Sequence, residues 1–155
     1  IDIAQDIIND AKEKNVNLII PVDGKVAKSL SMNAVAKNKN IEDIETDDMI
    51  LDLGAESIKI ILGELKKAET VIWNGPLGAI EYKPFDQATI TVAKELARNC
   101  KQKNIKVVAG GGDTIYGINL SKCVKDFTHV STAGGAFLEW LEGKTLPGVS
   151  AILDK

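Results

Sequence analysis

The chain has 155 residues, of which 45% are hydrophobic and 26% are charged, and its formal net charge is −3. This composition is typical of a globular domain of ordinary size, and the lack of a basic surplus argues against general nucleic-acid binding. The sequence contains no apolar run long enough to cross a membrane. Two cysteines do not make a disulfide framework, so we expect free thiols and a cytoplasmic location.

The first third of the chain has a less regular pattern than the rest. Apolar residues at Ile3, Ile7 and Ala11 fall on one face of a predicted helix, and the apolar run 18–20 predicts a buried strand. The Lys- and Asn-rich segment 23–48 is predicted to be irregular, with short extended pieces near Val26 and residues 34–36. Asp23, at the start of this segment, is interpreted as a turn former rather than a site residue.

From residue 50 onward, predicted strands alternate with predicted helices. The strands cover residues 50–53, 70–73, 106–109 and 129–131, and the helices cover 55–68, 84–100, a stretch from 113, and 134–141. Each strand is a nearly continuous apolar run, which is typical of a parallel sheet covered by helices on both faces. We therefore predict an α/β protein with a Rossmann-like, three-layer α/β/α fold and a mostly parallel sheet. Residues 1–155 form one domain in this interpretation.

Three glycine-rich loops follow predicted strands, at residues 73–81, 110–114 and 132–136. The strands of a parallel sheet all end at one edge, which is where such sheets bind ligands. The three loops are therefore predicted to lie side by side. None of them has the Gly-Lys-Ser/Thr ending of a Walker A sequence.

The loop 110–114 combines glycines with an acidic residue and a predicted helix start. Amides there would suit a phosphate, and the Asp113 carboxylate would be a partner for Mg²⁺. The alternative is a tight turn in which Asp113 simply caps the helix. The Gly134–Gly135 pair offers a second helix start suited to an anion, or small residues that let this helix pack closely.

The loop 73–81 contains candidate contacts for a nucleoside. Asn74 follows a strand and would reach a phosphate or a neighbouring loop, and Gly75-Pro76 predicts a turn. Gly78 would leave room for a flat ring, and Glu81 would accept hydrogen bonds from ribose hydroxyls. The alternative for Glu81 is a solvated acidic residue.

Arg98 is the one arginine among 19 basic residues. Because arginine is the usual choice for bidentate recognition of carboxylate and phosphate, a site that holds a small phosphorylated acid through several arginines is excluded for this chain.

Several motifs together resemble the phosphoglycerate kinase family. They are Trp73-Asn74-Gly75-Pro76 with Gly78 and Glu81, then Gly110-Gly111-Gly112-Asp113-Thr114, then His129-Val130-Ser131-Thr132, and then Leu141-Glu142-Gly143-Lys144 through Leu146-Pro147-Gly148-Val149. They occur in that family's order and spacing. The resemblance spans the whole chain but less than half of a full-length kinase.

The resemblance implies an enzyme with two domains that face each other across a cleft. Residues 1–155 would be an incomplete C-terminal domain that binds Mg²⁺ with ADP or ATP, while the absent N-terminal domain would hold 3-phosphoglycerate or 1,3-bisphosphoglycerate. The family transfers a phosphoryl group reversibly between 1,3-bisphosphoglycerate and Mg-ADP in glycolysis and gluconeogenesis. The full-length enzyme is expected to be a cytoplasmic monomer without nucleic-acid or membrane partners, and this chain alone is expected to be inactive.

The family's site residues carry over by motif. Nucleotide binding would involve Asn74, Pro76, Gly78, Glu81, Gly111, Gly112, Asp113 and Thr114. Asp113 would bind the metal, and Gly112, Gly134 and Gly135 would act in catalysis by stabilising the transferring group. The chain departs from the family at Ala133, where a third glycine is usual, and at Phe137, where serine is usual.

Two other functions fit the same residues. One is a standalone module that binds ADP without chemistry. The other is a structural α/β domain whose glycines serve only packing, in which case replacing Asp113 or Glu81 would have no effect.

Overall fold

The computed structural model describes residues 2–103 and 105–153 as six helices, six strands and two short 3₁₀ turns. The helices are α1 Asp2–Glu13, α2 Ala55–Leu65, α3 Gln87–Lys103, α4 Gly112–Ser121, α5 Gly134–Leu141 and α6 Pro147–Leu153. The strands are β1 Asp23–Ala27, β2 Lys37–Asn40, β3 Met49–Leu53, β4 Thr70–Asn74, β5 Lys106–Gly110 and β6 His129–Ser131. Over the described ranges, every helix is too short or too polar to span a bilayer.

The second half of the chain forms the predicted α/β fold, built on the parallel sheet β4-β5-β6. The register pairs Asn74 with Gly110, and Gly110 with Ser131, so all three strands end at the same level. The predicted strands and helices of this half are confirmed apart from their ends. Helix α3 begins three residues later than predicted, because residues 84–86 form a turn.

The segment 23–53 forms a second, antiparallel sheet of order β2-β1-β3. The prediction of an irregular segment was therefore wrong, although Val26 does lie in a strand. The strand predicted at 50–53 is present as β3, but its assignment to the parallel sheet was wrong, because β3 pairs antiparallel with β1. Strand β1 buries both faces at Val26 and Ala27, whereas the polar β2 forms the outer edge. Residues 34–36, predicted as extended, precede β2 without pairing.

The predicted strand 18–20 is wrong. In the structure this apolar run has no assigned secondary structure, and its three side chains Leu18, Ile19 and Ile20 are 42%, 36% and 59% exposed. An apolar run alone therefore specifies neither a strand nor burial, and no described strand pairs with these residues.

The main core lies between α3 and the parallel sheet. Leu96, Val107, Ala109 and Ile118 are fully buried there, and Trp73 and Phe127 pack at its border with ring centroids 6.4 Å apart. Burying such side chains stabilises the fold by roughly 1.5–3 kcal/mol each. Cys100 and Cys123 pack against this core as free thiols, as expected. The core therefore fixes β4 and β5, whose ends carry two of the three glycine-rich loops.

Candidate functional site

The three glycine-rich loops converge at one edge of the parallel sheet, as predicted. They leave β4 at Asn74, β5 at Gly110 and β6 at Ser131, which are aligned across the sheet. Helices α4 and α5 begin directly after the second and third loops. This edge therefore brings together two helix N-termini and the loop after β4.

The second and third loops are in direct backbone contact through Gly111 and Gly134. A Cβ atom added to Gly134 would lie 2.5 Å from the Gly111 Cα and 2.7 Å from its nitrogen, so no larger residue fits. Gly111 also has a φ of 97°, which a side chain would make unfavourable. The packing interpretation of small residues is thus correct for Gly134, and it does not exclude a ligand.

Gly112 and Gly135 differ from these two glycines. A Cβ atom added to either would meet no atom within 4 Å, and neither has a positive φ. Neither packing nor backbone conformation requires glycine at these positions. A side chain at either position would face open space, so these two glycines are not explained by the contacts around them.

Both helix starts carry amides that the helix itself cannot satisfy. The Ile115 amide makes the first bond of α4, to the Gly111 carbonyl, so the amides of residues 112–114 have no acceptor within the helix. In α5 the corresponding first bond runs from the Phe137 amide to the Ala133 carbonyl. Two sets of first-turn amides therefore lie next to each other through the Gly111–Gly134 contact, and each helix dipole favours an anion at its start.

Asp113 does not cap its helix, contrary to the capping interpretation. The N-cap residue of α4 is Gly111, which has no side-chain cap bond, and Asp113 lies within the first turn with its side chain exposed. A residue one or two positions into the helix has already passed the capping position. The carboxylate is therefore placed beside the first-turn amides without a capping role.

The loop after β4 is tied to the second loop through Thr114. The Gly75 amide donates to the Thr114 Oγ1 at 2.7 Å, and Thr114 is 1% exposed. A Cβ atom at Gly111 would lie 3.3 Å from the Asn74 Oδ1, so the Asn74 amide group reaches the neighbouring loop, as predicted. Asn74 itself remains exposed. By accepting this bond, Thr114 positions the first loop against the second, a role that the sequence pattern did not predict, and its O–H remains a donor.

The segment 76–81 packs against β3, so Gly78 has a structural reason to be glycine. The Ala79 amide donates to the Leu51 carbonyl at 2.8 Å, and a Cβ atom at Gly78 would lie 2.4 Å from the Asp52 Oδ1 and 2.5 Å from the Phe85 carbonyl. The expectation that Gly78 leaves room for a ring is one explanation, and this packing is a second one.

A groove of ≈ 300 Å³ lies between β3 and this segment. It is lined by Ile50, Leu51, Asp52, Leu53, Pro76, Leu77, Gly78 and Ala79. Its walls are mostly apolar, and Pro76 and Gly78 form one side of it. Glu81 does not line the groove, and its side chain is exposed. The structure thus places Pro76 and Gly78 on one surface suited to a flat, weakly polar group.

Asp52 is a buried carboxylate that the sequence analysis did not select. It is 2% exposed and accepts hydrogen bonds from the Ala88 amide at 3.1 Å and the Leu53 amide at 2.9 Å. Burial raises its pKa to about 6, although these amides and the charge of Lys25 oppose the rise. Ala88 lies in the first turn of α3, so Asp52 holds the start of this helix beside Gly78.

Asp23 is not a turn former, because it caps a helix from a distance. It is 6% exposed, and its carboxylate accepts from the Glu56 amide at 3.0 Å, the Ser57 amide at 2.8 Å and the Ser57 hydroxyl at 2.5 Å. Burial alone would raise its pKa, but these hydrogen bonds prevail and lower it. A Cβ atom at Gly54 would lie 2.1 Å from the Asp23 Cγ, so glycine is needed for this approach.

Three carboxylates lie close together in the segment 45–48, which is distant in sequence from the candidate metal ligand Asp113. Glu45, Asp47 and Asp48 are near enough to one another for a cation, but Lys28 and Lys39 already pair with them at 2.6–3.2 Å. These lysines lower the pKa values of all three carboxyl groups. The group is therefore an ion-pair network at the edge of the antiparallel sheet.

A metal ion at Asp113 would have one carboxylate and, with a nucleotide bound, phosphate oxygens as ligands. Mg²⁺ is usually held by one or two carboxylates together with substrate phosphates and water, so an exposed carboxylate beside open first-turn amides fits it. Arg98 pairs with Glu95 on the surface of α3 and lies outside this group.

Comparison with known proteins gives consistent results. A family model described as phosphoglycerate kinase matches residues 1–144. The chain is 50% identical to a phosphoglycerate kinase of Methylorubrum extorquens over 149 residues, and 48% identical to one of Caulobacter vibrioides over 151 residues. These alignments cover 96% and 97% of this chain but 37% and 38% of the relatives' length.

Solved structures show the same relationship. The structure of phosphoglycerate kinase from Coxiella burnetii matches with a TM-score of 0.91 and 38% identity, covering 99% of this chain and 38% of that one. The phosphoglycerate kinase of Pyrococcus horikoshii matches with a TM-score of 0.71 and 28% identity, over 86% of this chain and 32% of that one. The family match over most of its length, together with these identities, places the chain in the phosphoglycerate kinase family.

Proposed function

We propose that this chain provides the nucleotide-binding part of a phosphoglycerate kinase. The reaction is reversible phosphoryl transfer from 1,3-bisphosphoglycerate to Mg-ADP, giving 3-phosphoglycerate and Mg-ATP in glycolysis and gluconeogenesis. The observation that carries the proposal is the adjacency of two helix N-termini, which the Gly111–Gly134 backbone contact holds side by side, with the exposed Asp113 in the first turn of one of them.

In this proposal the nucleotide lies across the converging loops. The nucleoside occupies the groove beside Pro76 and Gly78, and the Glu81 carboxylate accepts hydrogen bonds from the ribose. The phosphates approach the first-turn amides of α4, beside Gly111, Gly112 and Thr114, with Asn74 close by. The helix dipole and the free amides favour the negative charge of the phosphates.

Catalysis in this proposal depends on positioning and charge stabilisation. Asp113 holds a Mg²⁺ ion, which neutralises phosphate charge when bound. The amides of Gly112, Gly134 and Gly135 lie in the first turns of the two adjacent helices and would stabilise the charge on the transferring phosphoryl group. The substrate acid is held by a separate N-terminal domain outside residues 1–155, because the single arginine pairs with Glu95 on α3.

Calorimetric titration of Mg-ADP into the purified chain tests the nucleotide site. We expect Asp113→Asn to weaken Mg-ADP binding by roughly tenfold or more, as loss of a charge-assisted contact does. Glu56→Gln is the matched control, because Glu56 is an exposed acid in the first turn of α2. Equal affinities of Asp113→Asn and the unaltered chain would favour the purely structural alternative.

A second experiment separates a kinase from a standalone nucleotide-binding module. Phosphoryl transfer from Mg-ATP to 3-phosphoglycerate is measured with the chain alone and after mixing with a separately produced N-terminal half. We expect no turnover alone and recovery on mixing. Binding of Mg-ADP without recovery would favour the module.

A further inference from the structure

Asn74-Gly75 is the single Asn-Gly dipeptide in the sequence, and Asn74 is exposed. Asparagine before glycine is chemically vulnerable, because glycine has no side chain to hinder attack by its own amide nitrogen. That nitrogen loses its proton to water and bonds to the Asn74 Cγ, the bond from Cγ to Nδ2 breaks, and the departing NH2 group takes up a proton and leaves as ammonia. Water then opens the cyclic imide to give aspartate or isoaspartate. The reaction needs no reagent other than water.

Three features of the fold oppose this reaction. The Gly75 amide donates to the Thr114 Oγ1 at 2.7 Å, so the attacking nitrogen keeps its proton and its direction. The Asn74 backbone is paired with Gly110 at the end of β4, which keeps it extended. The Asn74 side chain contacts the second loop, because its Oδ1 lies 3.3 Å from the Cβ position of Gly111, and this contact restricts its movement.

Of these features, the hydrogen bond to Thr114 acts directly on the attacking atom. Thr114 is 1% exposed and fixed in the first turn of α4, so its hydroxyl does not follow the loop when the loop moves. Gly75 has a φ of 91° and precedes Pro76, so the loop has few alternative conformations while this bond holds. Loss of the bond frees both the nitrogen and the backbone at Asn74.

We propose that Asn74 is a deamidation site that Thr114 keeps latent in the folded protein. The product carries a new carboxylate at the edge of the sheet where the three loops meet. This consequence rests on the proposed function: a negative charge beside the first-turn amides of α4 would repel nucleotide phosphates. Transient opening of the loop would then convert the site irreversibly to a form with weaker nucleotide binding.

The test follows deamidation of Asn74 by peptide mapping and isoaspartate detection during incubation at mildly alkaline pH. We expect Thr114→Val to react roughly tenfold faster than the unaltered chain, the factor expected for loss of one ordinary hydrogen bond. Thr128→Val is the matched control, because Thr128 also accepts a backbone amide, that of Val107 at 3.0 Å, at another place in the same sheet. Thr114→Ser keeps the acceptor and should restore the slow rate.

Two results would overturn the proposal. One is a folded Thr114→Val chain that reacts no faster than the unaltered chain or Thr128→Val. The other is a folded, unaltered chain that reacts as fast as the same chain in urea. If Thr114→Val does not fold, hydrogen exchange at the Gly75 amide decides, because an unprotected amide contradicts the bond. None of these measurements involves nucleotide, so a failure of the proposed function would leave the result unchanged.

Discussion

The Asp23 carboxylate accepts hydrogen bonds from both the amide and the hydroxyl of Ser57, at 2.8 and 2.5 Å, although 34 residues separate them. The Ser57 hydroxyl in turn accepts from the Val22 amide at 2.9 Å. This pair joins β1 of the antiparallel sheet to the first turn of α2. The contact replaces the local cap that α2 lacks, since Gly54 at its N-cap position has no side chain.

Replacing Asp23 with alanine should therefore destabilise the chain strongly. The change leaves two first-turn amides and the Ser57 hydroxyl without their acceptor, and loss of a cap and a buried acceptor costs about 2–4 kcal/mol. Urea unfolding followed by circular dichroism measures the difference. Asp43→Ala, at an exposed acid in the 3₁₀ turn after β2, serves as the control and should change stability little.

The same carboxylate predicts a loss of stability in acid. Because its pKa is lowered on folding, the unfolded chain binds a proton first as the pH falls. The stabilisation is present above the ordinary carboxyl pKa of 3.8 and is lost as the pH falls through the lower folded value. Urea midpoints between neutral pH and acid should fall less steeply for Asp23→Asn than for the unaltered chain. Identical slopes would contradict this contact.

The contribution of Asp52 to stability should change with pH in the opposite direction. Its folded pKa of about 6 lies above its ordinary value of 3.8, so the folded chain holds the proton more tightly. Its contribution to stability is then greatest below pH 3.8 and is lost as the pH rises through 6, by about 3 kcal/mol in total. The stability difference between the unaltered chain and Asp52→Asn should therefore change across this pH range. A difference that stays constant with pH would show that Asp52 does not titrate there.

Gly134 and Gly135 are adjacent, yet alanine should affect them differently. At Gly134 the new Cβ atom would collide with the Gly111 backbone, and overpacking of this kind costs about 1–3 kcal/mol. At Gly135 the space is open, and alanine in a helix is neutral or stabilising by up to about 1 kcal/mol. Urea unfolding distinguishes the two variants. Equal destabilisation would mean that the second and third loops are not in backbone contact.

The ring of Phe137 provides a test of how the third loop packs on the second. A Cβ atom at Gly110 would lie 3.2 Å from the Phe137 Cδ1, which is tighter than an ordinary contact. We expect Gly110→Ala to destabilise the chain less when Phe137 is also alanine. A double-mutant cycle should give a coupling of about 0.5 kcal/mol or more, and additive effects would place the ring elsewhere.

Local pattern was sufficient to predict the parallel sheet and the meeting of its loops. Strands β4 and β5 are apolar runs that end at glycine-containing loops, and such runs are typical of parallel strands. Their burial differs, because β5 is mostly buried whereas β4 is buried only at Trp73. Polar β2, in contrast, is stable only because β1 lies beside it, and sequence periodicity contains no sign of that partner. The apolar run 18–20 shows the opposite error. It was predicted to be a strand from its hydrophobicity alone, although the part of the chain that the structure describes provides no neighbouring strand for it to pair with.

The sequence predicted which loops meet at the candidate site, while the roles of the residues in those loops stay predictions. Glycines at strand ends and the acid in the following turn are visible in the sequence, as Gly112 and Asp113 show. The buried carboxylates of Asp23 and Asp52 were missed because each meets its helix more than 30 residues away in the chain. A buried acid in an apolar run, such as Leu51-Asp52-Leu53, is the signal that would have found one of them.

The indole Nε1 of Trp73 donates to the Gly75 carbonyl at 2.7 Å, which makes this side chain a natural optical reporter of the loop after β4. The other tryptophan, Trp140, is 60% exposed and would contribute an emission typical of a solvated indole. Replacing Trp140 with phenylalanine would leave Trp73 as the single tryptophan, buried and hydrogen-bonded to the Gly75 carbonyl. Its emission would then follow movements of the loop in real time without any label.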